Sequence, residues 1–140
     1  MRRLPVMALM LVLLAPPLLA SPVQAQSCPF PGQKMMQIVR LYFGLNIPSG
    51  GRVSDRQWRD FLARTVTPRF PAGFTVYEAK GQWQDPRTHA IDREDSRILE
   101  LATQDNVAAR RAVTEISQEY RTRFRQQAVG IVSESACGTF

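Results

Sequence analysis

The chain has 140 residues, 44% of them hydrophobic, and a formal net charge of +6 at pH 7. This length suits a single domain, and the ordinary apolar content excludes disorder of the whole chain. The charge is modest and no aromatic–basic motif accompanies it, so the composition does not indicate a nucleic-acid partner.

Residues 1–25 have the three-part pattern of a secretory signal peptide. Arg2 and Arg3 supply the positive start, residues 4–20 form an apolar run, and a small residue at Ala25 suits cleavage after that position. We therefore predict export to the periplasm or secretion, and the two lost arginines leave a net charge of +4.

The mature chain then divides into an N-terminal arm at 26–32 and a single α+β domain at 33–140. A membrane anchor is the alternative reading of the first apolar run. Pro16 and Pro17 interrupt that run, and it is short for a membrane span. No second apolar run is long enough to cross a bilayer, so we expect no transmembrane segment in the mature chain.

Both cysteines, Cys28 and Cys137, follow the predicted cleavage point, one near each end of the mature chain. Export leads to an oxidising compartment, so a disulfide between them is the expected state. The alternative is a lipid anchor on Cys28. Ala25 and Gln26 fit a lipidation signal poorly, and lipidation would leave Cys137 as an unpaired thiol.

The first predicted elements are a strand, a loop and a helix. Alternating apolar residues mark strand one at 33–44, and a loop with Gly50 and Gly51 follows. Ser54 and Gln57 form a capping box that starts helix one, and Pro68 ends it.

The second half repeats strand and helix signals. The pattern predicts strand two at 74–83, a turn at 85–88, and strand three from Ile91 to Thr103, with a bulge near Gly81. Helix two starts after Asp105 or Asn106 and carries an apolar stripe. Strand four runs over 129–137.

The order β-α-β-β-α-β predicts a ferredoxin-like fold. In that fold a four-stranded antiparallel sheet has the strand order 4-1-3-2, with two helices on one face. The start of strand one then lies beside the end of strand four. This topology brings Cys28 and Cys137 to the same end of the sheet, which agrees with the predicted disulfide.

Several short motifs resemble those of a bacterial family, the domain of unknown function 3574 family. They are Tyr42-Phe43-Gly44, the Gly-Arg-Val-Ser of 51–54, the Val-Thr-Pro-Arg-Phe-Pro-Ala-Gly of 66–73, the Gly-Gln-Trp of 81–83, and Cys137. The resemblance extends from about Lys34 to Phe140. It implies a secreted domain with these boundaries and no particular mechanism, because the family is uncharacterised.

No catalytic set is visible in the sequence. His89 is the single histidine, and no cysteine–histidine spacing suits zinc. The Gly-rich segment at 48–52 lacks the Walker pattern, and no G-x-S-x-G occurs. We therefore predict no catalytic residue, no metal and no cofactor.

One end of the sheet nevertheless collects polar and aromatic side chains. Strands one and two are predicted to be parallel, so their C-terminal ends, the start of strand three and the start of helix one share that end. We predict a cluster there in which Arg52 pairs with Glu94, and a candidate binding site made of Tyr42, Arg52, Ser54, Gln82, Trp83, Arg93 and Glu94. A purely structural polar network is the alternative interpretation.

Two functions follow from this cluster. The first is a non-enzymatic periplasmic domain that binds a small molecule or a protein. The alternative is a small enzyme of the dimeric α+β barrel type, with Tyr42, Arg52 and Glu94 as acid/base and orienting groups. The mixed outer face of the sheet, which includes Ile38 and Arg40, keeps this alternative open and would allow a homodimer through the sheet face.

Overall fold

A computed structural model describes residues 28–140. The predicted signal peptide at 1–25 lies outside the described residues. The element order is β1 (Lys34–Gly44), α1 (Asp55–Phe61), β2 (Thr75–Gln84), β3 (Ile91–Thr103), α2 (Val107–Phe124) and β4 (Gly130–Gly138). In this part of the chain the protein is therefore an α+β fold, with strands close to the predicted bounds.

The four strands form one antiparallel sheet in the order β2-β3-β1-β4. Read from the other edge, the order is β4-β1-β3-β2, so β1 and β3 are the central strands. Because β1 and β2 are both antiparallel to β3, they are parallel to each other. Their C-terminal ends consequently lie at the same end of the sheet.

The two faces of the sheet differ because strand side chains alternate. On one face, the helix face, Val39, Leu41 and Phe43 of β1 lie opposite or beside Leu99 and Leu101 of β3, and all five are buried. The apolar stripes of both helices join them in one core, through Trp58, Phe61, Val113, Ile116, Tyr120 and Phe124. No helix of the described part covers the other face, the open face.

The capping box of α1 is confirmed. The Ser54 hydroxyl accepts the Gln57 backbone N–H at 3.3 Å, and the Gln57 side chain accepts the Ser54 backbone N–H at 2.9 Å. The helix does not continue in α geometry to Thr67, because residues Leu62–Val66 form a π-helical turn. Phe61 and Val66 are five residues apart, and the π period places both in the core, where neither is exposed.

The β2–β3 hairpin has no bulge, so that prediction was wrong. Its register runs without interruption from Thr75 opposite Glu100 to Gln84 opposite Ile91. Gly81 pairs directly with Glu94 within this ladder. Its small size, rather than an inserted residue, distinguishes this position.

A disulfide joins Cys28 to Cys137, as predicted, with the Cα atoms 5.5 Å apart. Met35 of β1 pairs with Cys137 of β4, and its sulfur lies 3.6 Å from the Cys137 sulfur. The bond therefore fastens the N-terminal arm to the end of the last strand.

Candidate ligand-binding site

A cleft of about 780 Å³ opens on the open face, at the end of the sheet where β1 stops. β1 ends at Gly44, opposite Ser96, while β2 and β3 continue past it to Gln84 and Ile91. The β1–α1 loop and the α2–β4 loop close the sides. The lining residues are Tyr42, Gly44, Asn46, Ile47, Pro48, Gly51, Trp83, Asp92, Glu94, Ser96, Gln126, Gln127, Ala128 and Gly130. We call this space the sheet-end cleft.

Three strand glycines at the cleft end of the sheet make room for neighbouring side chains. Gly44, Gly81 and Gly130 belong to three different strands, and the register places all three on the open face at this end. None has a positive φ, so backbone conformation does not require glycine here. Glycine weakens a strand and often marks a point of close approach by another group. The three positions therefore leave room for the side chains of Glu94, Ser96 and Tyr42, at a cost in strand stability.

Glu94 lies at the floor of the cleft. A Cβ at Gly44 would come within 2.6–2.8 Å of its carboxylate atoms, so the carboxylate occupies the space that a side chain at 44 would fill. The Asn46 backbone N–H donates to Glu94 Oε2 at 3.3 Å. Within the described residues, no lysine or arginine forms an ion pair with this carboxylate. Glu94 thus presents an uncompensated negative charge in a half-buried position.

Two aromatic side chains line the same cleft as this carboxylate. Tyr42 is 39% exposed and Trp83 is 44% exposed, and both lie on the open face. The Tyr42 ring passes over Gly130, where a Cβ would meet the ring at 3.5 Å. Asp92 and Ser96 flank Glu94 on the same face because they stand two residues before and after it. A cleft lined by both carboxylates and exposed aromatic rings suits a cation that carries or contacts a flat ring.

Tyr120, a residue of the core, is hydrogen-bonded to the end of β1 that borders the cleft. Its buried hydroxyl donates to the carbonyl oxygen of Gly44 at 2.8 Å, which joins α2 to the last residue of β1. Burial raises the pKa of Tyr120, and the nearby negative charge of Glu94 raises it further. The phenol consequently stays protonated and keeps donating. The ring itself packs edge-on against Phe43 and Phe61.

A second groove lies on the helix face at the same end of the sheet. Its lining residues are Asn46, Arg52, Lys80, Gly81, Gln82, Arg93, Glu94 and Asp95. Arg52 forms an ion pair with Asp95, and Lys80 donates to the same carboxylate at 2.8 Å. These two cations lower the pKa of Asp95 to about 2. Arg52 therefore pairs with Asp95 and not with Glu94.

The predicted cluster is thus divided between two faces of the sheet. Strand alternation sends Tyr42, Trp83 and Glu94 to the open face, whereas Gln82 and Arg93 belong to the helix face. All six predicted residues other than Ser54 line one groove or the other, and Glu94 lines both. Ser54 lines neither and serves as the cap of α1.

The sequence interpretation omitted several residues of the cleft, namely Asp92, Asn46, Gln126 and Gln127. Asp92 could have been found, because it shares the open face with Glu94 at a two-residue spacing. The two glutamines follow α2, and the topology returns that loop to the end where β1 stops. The Gln126 side chain donates to the Asn46 carbonyl at 2.7 Å and joins the two loops.

Residues 28–140 lack two features that would indicate a metal site or a membrane span. No group of three or more histidine, cysteine, aspartate or glutamate side chains in this range is placed to hold a metal ion. No helix in the same range is long and apolar enough to cross a membrane. His89 lies in the exposed β2–β3 turn with a φ of 58°.

Comparison with protein families identifies the group to which this chain is related. The model of the family described as protein of unknown function, DUF3574, matches residues 39–140. The chain belongs to the DUF3574 family. The match confirms the resemblance inferred from the short motifs and covers the second half of β1 and all later elements. No curated protein matches this DUF3574 chain in sequence.

Solved structures show the same fold with low sequence identity. A phage SAM lyase in complex with S-methyl-5′-thioadenosine is 15% identical, with a TM-score of 0.56, over 75% of this chain and 90% of the lyase. The apo state of a phage SAM lyase is also 15% identical, with a TM-score of 0.53, over 83% of this chain and 97% of the lyase. The similarity shows that the DUF3574 chain shares a fold with these enzymes.

Proposed function

We propose that this protein binds a small, positively charged molecule with a flat ring in the sheet-end cleft. The carrying observation is the Glu94 carboxylate, which has no ion-pair partner among residues 28–140 and lines the cleft together with two exposed aromatic side chains. In this arrangement Glu94 attracts the cationic centre and Tyr42 and Trp83 contact the ring. A half-buried carboxylate is screened less than a surface one, so its attraction for a cation is stronger.

The fold comparison supports a nucleoside-like ligand. The structurally similar phage lyase holds S-methyl-5′-thioadenosine, a purine nucleoside thioether. S-adenosylmethionine contains the same thioadenosine unit but has a positively charged sulfonium. The two compounds therefore make a matched pair of probes, because the difference in their affinities measures what the carboxylate contributes.

The test is isothermal titration calorimetry of the oxidised protein with both probes. We expect the sulfonium compound to bind more tightly than the thioether. Glu94→Gln should weaken only the sulfonium compound, by roughly tenfold, which is the loss of one charge-assisted contact. The control is Glu119→Gln, because Glu119 is an exposed glutamate of α2 remote from the cleft. Equal affinities of wild type and Glu94→Gln for both probes would contradict the proposal.

A second variant moves the carboxylate without removing it. Gly44→Ala places a Cβ within 2.8 Å of the Glu94 carboxyl carbon, so the flexible side chain must shift. We expect little change in melting temperature and a loss of sulfonium affinity comparable with that of Glu94→Gln. Unchanged affinity would mean that the position of the carboxylate is irrelevant to binding.

The second candidate is an enzyme acting on such a cation, favoured by the shared fold with the phage lyase. Tyr42 and Glu94 share the cleft and are available as acid/base groups, whereas Arg52 is engaged with Asp95. Incubation with S-adenosylmethionine, followed by mass spectrometry, separates the two candidates. Glu94-dependent formation of S-methyl-5′-thioadenosine supports the enzyme, and binding without turnover supports the non-enzymatic domain.

We further propose a ferredoxin-like classification of the fold and an exported location. The disulfide supports export, because such bonds persist in oxidising compartments. A Cys28 sulfur bonded to Cys137 also has no valence left for a lipid. Intact-mass analysis should show a mature protein starting at Gln26. Retention of Met1, or a lipid mass on Cys28, would contradict the proposal.

A further inference from the structure

The open face of the sheet presents apolar side chains to solvent. Tyr42, Tyr77 and Val132 come from three strands of this face and are 39–51% exposed. Ile98 lies between Tyr77 and Tyr42, Ile38 lies on the far side of Arg40, and both isoleucines are half-buried. Trp83 extends the apolar surface to the rim of the sheet-end cleft. Several apolar side chains exposed together on one face of a protein mark an interaction site.

The charges on this face are already paired with one another. Arg40 of β1 donates to Glu100 of β3 at 2.6 Å and to Glu134 of β4 at 2.8 Å. The Tyr77 hydroxyl donates to Glu100 at 3.2 Å. Paired carboxylates raise the pKa of Arg40 and keep it charged. A partner seated here would therefore bury a matched ion network, which is far less costly than burying a single unpaired charge.

The same network is complementary to itself. The charged side chains of β3, β1 and β4 are negative, positive and negative in that order, and neighbouring strands are about 4.8 Å apart. A second copy, turned over and displaced by one strand, places its arginine against a glutamate of the first copy and receives the reciprocal contact. Such self-complementarity is the requirement of a two-fold interface.

The size of the face suits this assembly. Four strands at about 4.8 Å, and about 30 Å of length along β1, give a flat footprint of roughly 600 Å². Side chains make the accessible area larger than the footprint, which brings it near the ~800 Å² per partner of a standard stable interface. We therefore propose that a second copy of this chain covers the open face and closes the sheet-end cleft.

A second copy that covers the open face also closes the sheet-end cleft, because Tyr42 and Trp83 belong to both surfaces. One copy supplies the floor, with Glu94, and the sides, while the solvent side of the cleft has no wall in a single chain. A second copy supplies that wall and displaces water. The ligand site is thus incomplete in the monomer. This inference rests on the proposed function for the role of the cleft, but its interface can be tested without a ligand.

The test is sedimentation velocity of the oxidised mature protein without ligand, at concentrations up to about 100 µM, where a standard interface is populated. We expect a dimer, because a two-fold interface closes with two copies. Val132→Glu adds a carboxylate opposite Arg40, which already pairs with Glu100 and Glu134, so the face gains one excess negative charge. This should raise the subunit dissociation constant at least about tenfold. The control is Val107→Glu, at a 75% exposed position of α2, which should assemble normally. Circular dichroism confirms that each variant is folded.

A monomeric wild type over this range, or equal assembly of Val132→Glu and wild type, would overturn the inference. Ligand titrations then separate it from the proposed function. Glu94→Gln should lose sulfonium affinity and still assemble, whereas Val132→Glu should lose assembly and weaken the affinity for both probes. If Val132→Glu is monomeric and binds both probes normally, closure of the cleft by the second copy is refuted while the binding site itself stands.

Discussion

Breaking the disulfide between Cys28 and Cys137 should cause a large loss of stability. The two residues are 109 positions apart, so the bond closes almost the whole mature chain into a loop. In the chain-entropy model a loop of this length restricts the unfolded state by about 5 kcal/mol at 25 °C. For a domain of this size, each kcal/mol corresponds to about 4 °C, so the melting temperature should fall by roughly 15–20 °C.

Below the lowered melting temperature, the protein without the disulfide should keep the native fold. Lys34 pairs with Gly138 and Tyr42 pairs with Gly130 in the β1–β4 ladder, which holds the two strands together without the sulfur atoms. Thermal unfolding is followed by circular dichroism with and without reductant, and for the double variant Cys28→Ser/Cys137→Ser. The double variant should have the melting temperature of the reduced wild type, and reductant should not change it. Coincident melting of oxidised and reduced protein, or two free thiols in native protein, would refute the reasoning.

Three smaller perturbations test the structure at single positions. Tyr120→Phe removes the donor to the Gly44 carbonyl and should lower the free energy of unfolding by about 1–2 kcal/mol in urea titrations; no loss would mean that this carbonyl has another donor. Ser54→Ala should cost about 1 kcal/mol through the lost helix cap, whereas Ser49→Ala in the preceding loop should cost almost nothing. Asp95 has a pKa of about 2 against an ordinary 3.8, so its contribution to stability is present above about pH 4 and is lost as pH falls through 2. The melting temperature of Asp95→Asn should therefore change less than that of wild type between these values, and parallel pH profiles would show that the ion pairs are irrelevant.

Much of the secondary structure followed from local signals. The Ser54–Gln57 capping box started α1 at the predicted residue, and period-two alternation placed β1 and β3 within a residue or two. The π turn after Phe61 was not predictable, because it arises where the core requires both Phe61 and Val66. Such a requirement belongs to tertiary packing and leaves no local signal.

The candidate site was only partly predictable for the same reason. Topology alone indicated that the ends of β1 and β2 and the start of β3 meet, which brought the right segments together. The alternation of side chains along each strand, which the sequence already indicates, divides these residues between the two faces of the sheet. The structure shows on which face each residue lies. Only the tertiary structure shows that Arg52 pairs with Asp95 and leaves Glu94 without an ion-pair partner among the described residues.

The sequence by itself determined the order of elements, the helix cap and the common end of the two cysteines, because these depend on nearest neighbours along the chain and on a small set of allowed topologies. The tertiary structure decided which charges pair and where space remains. Those outcomes depend on distances between residues far apart in the chain, such as Gly44 and Glu94. Their close approach becomes visible only when the strands are laid side by side.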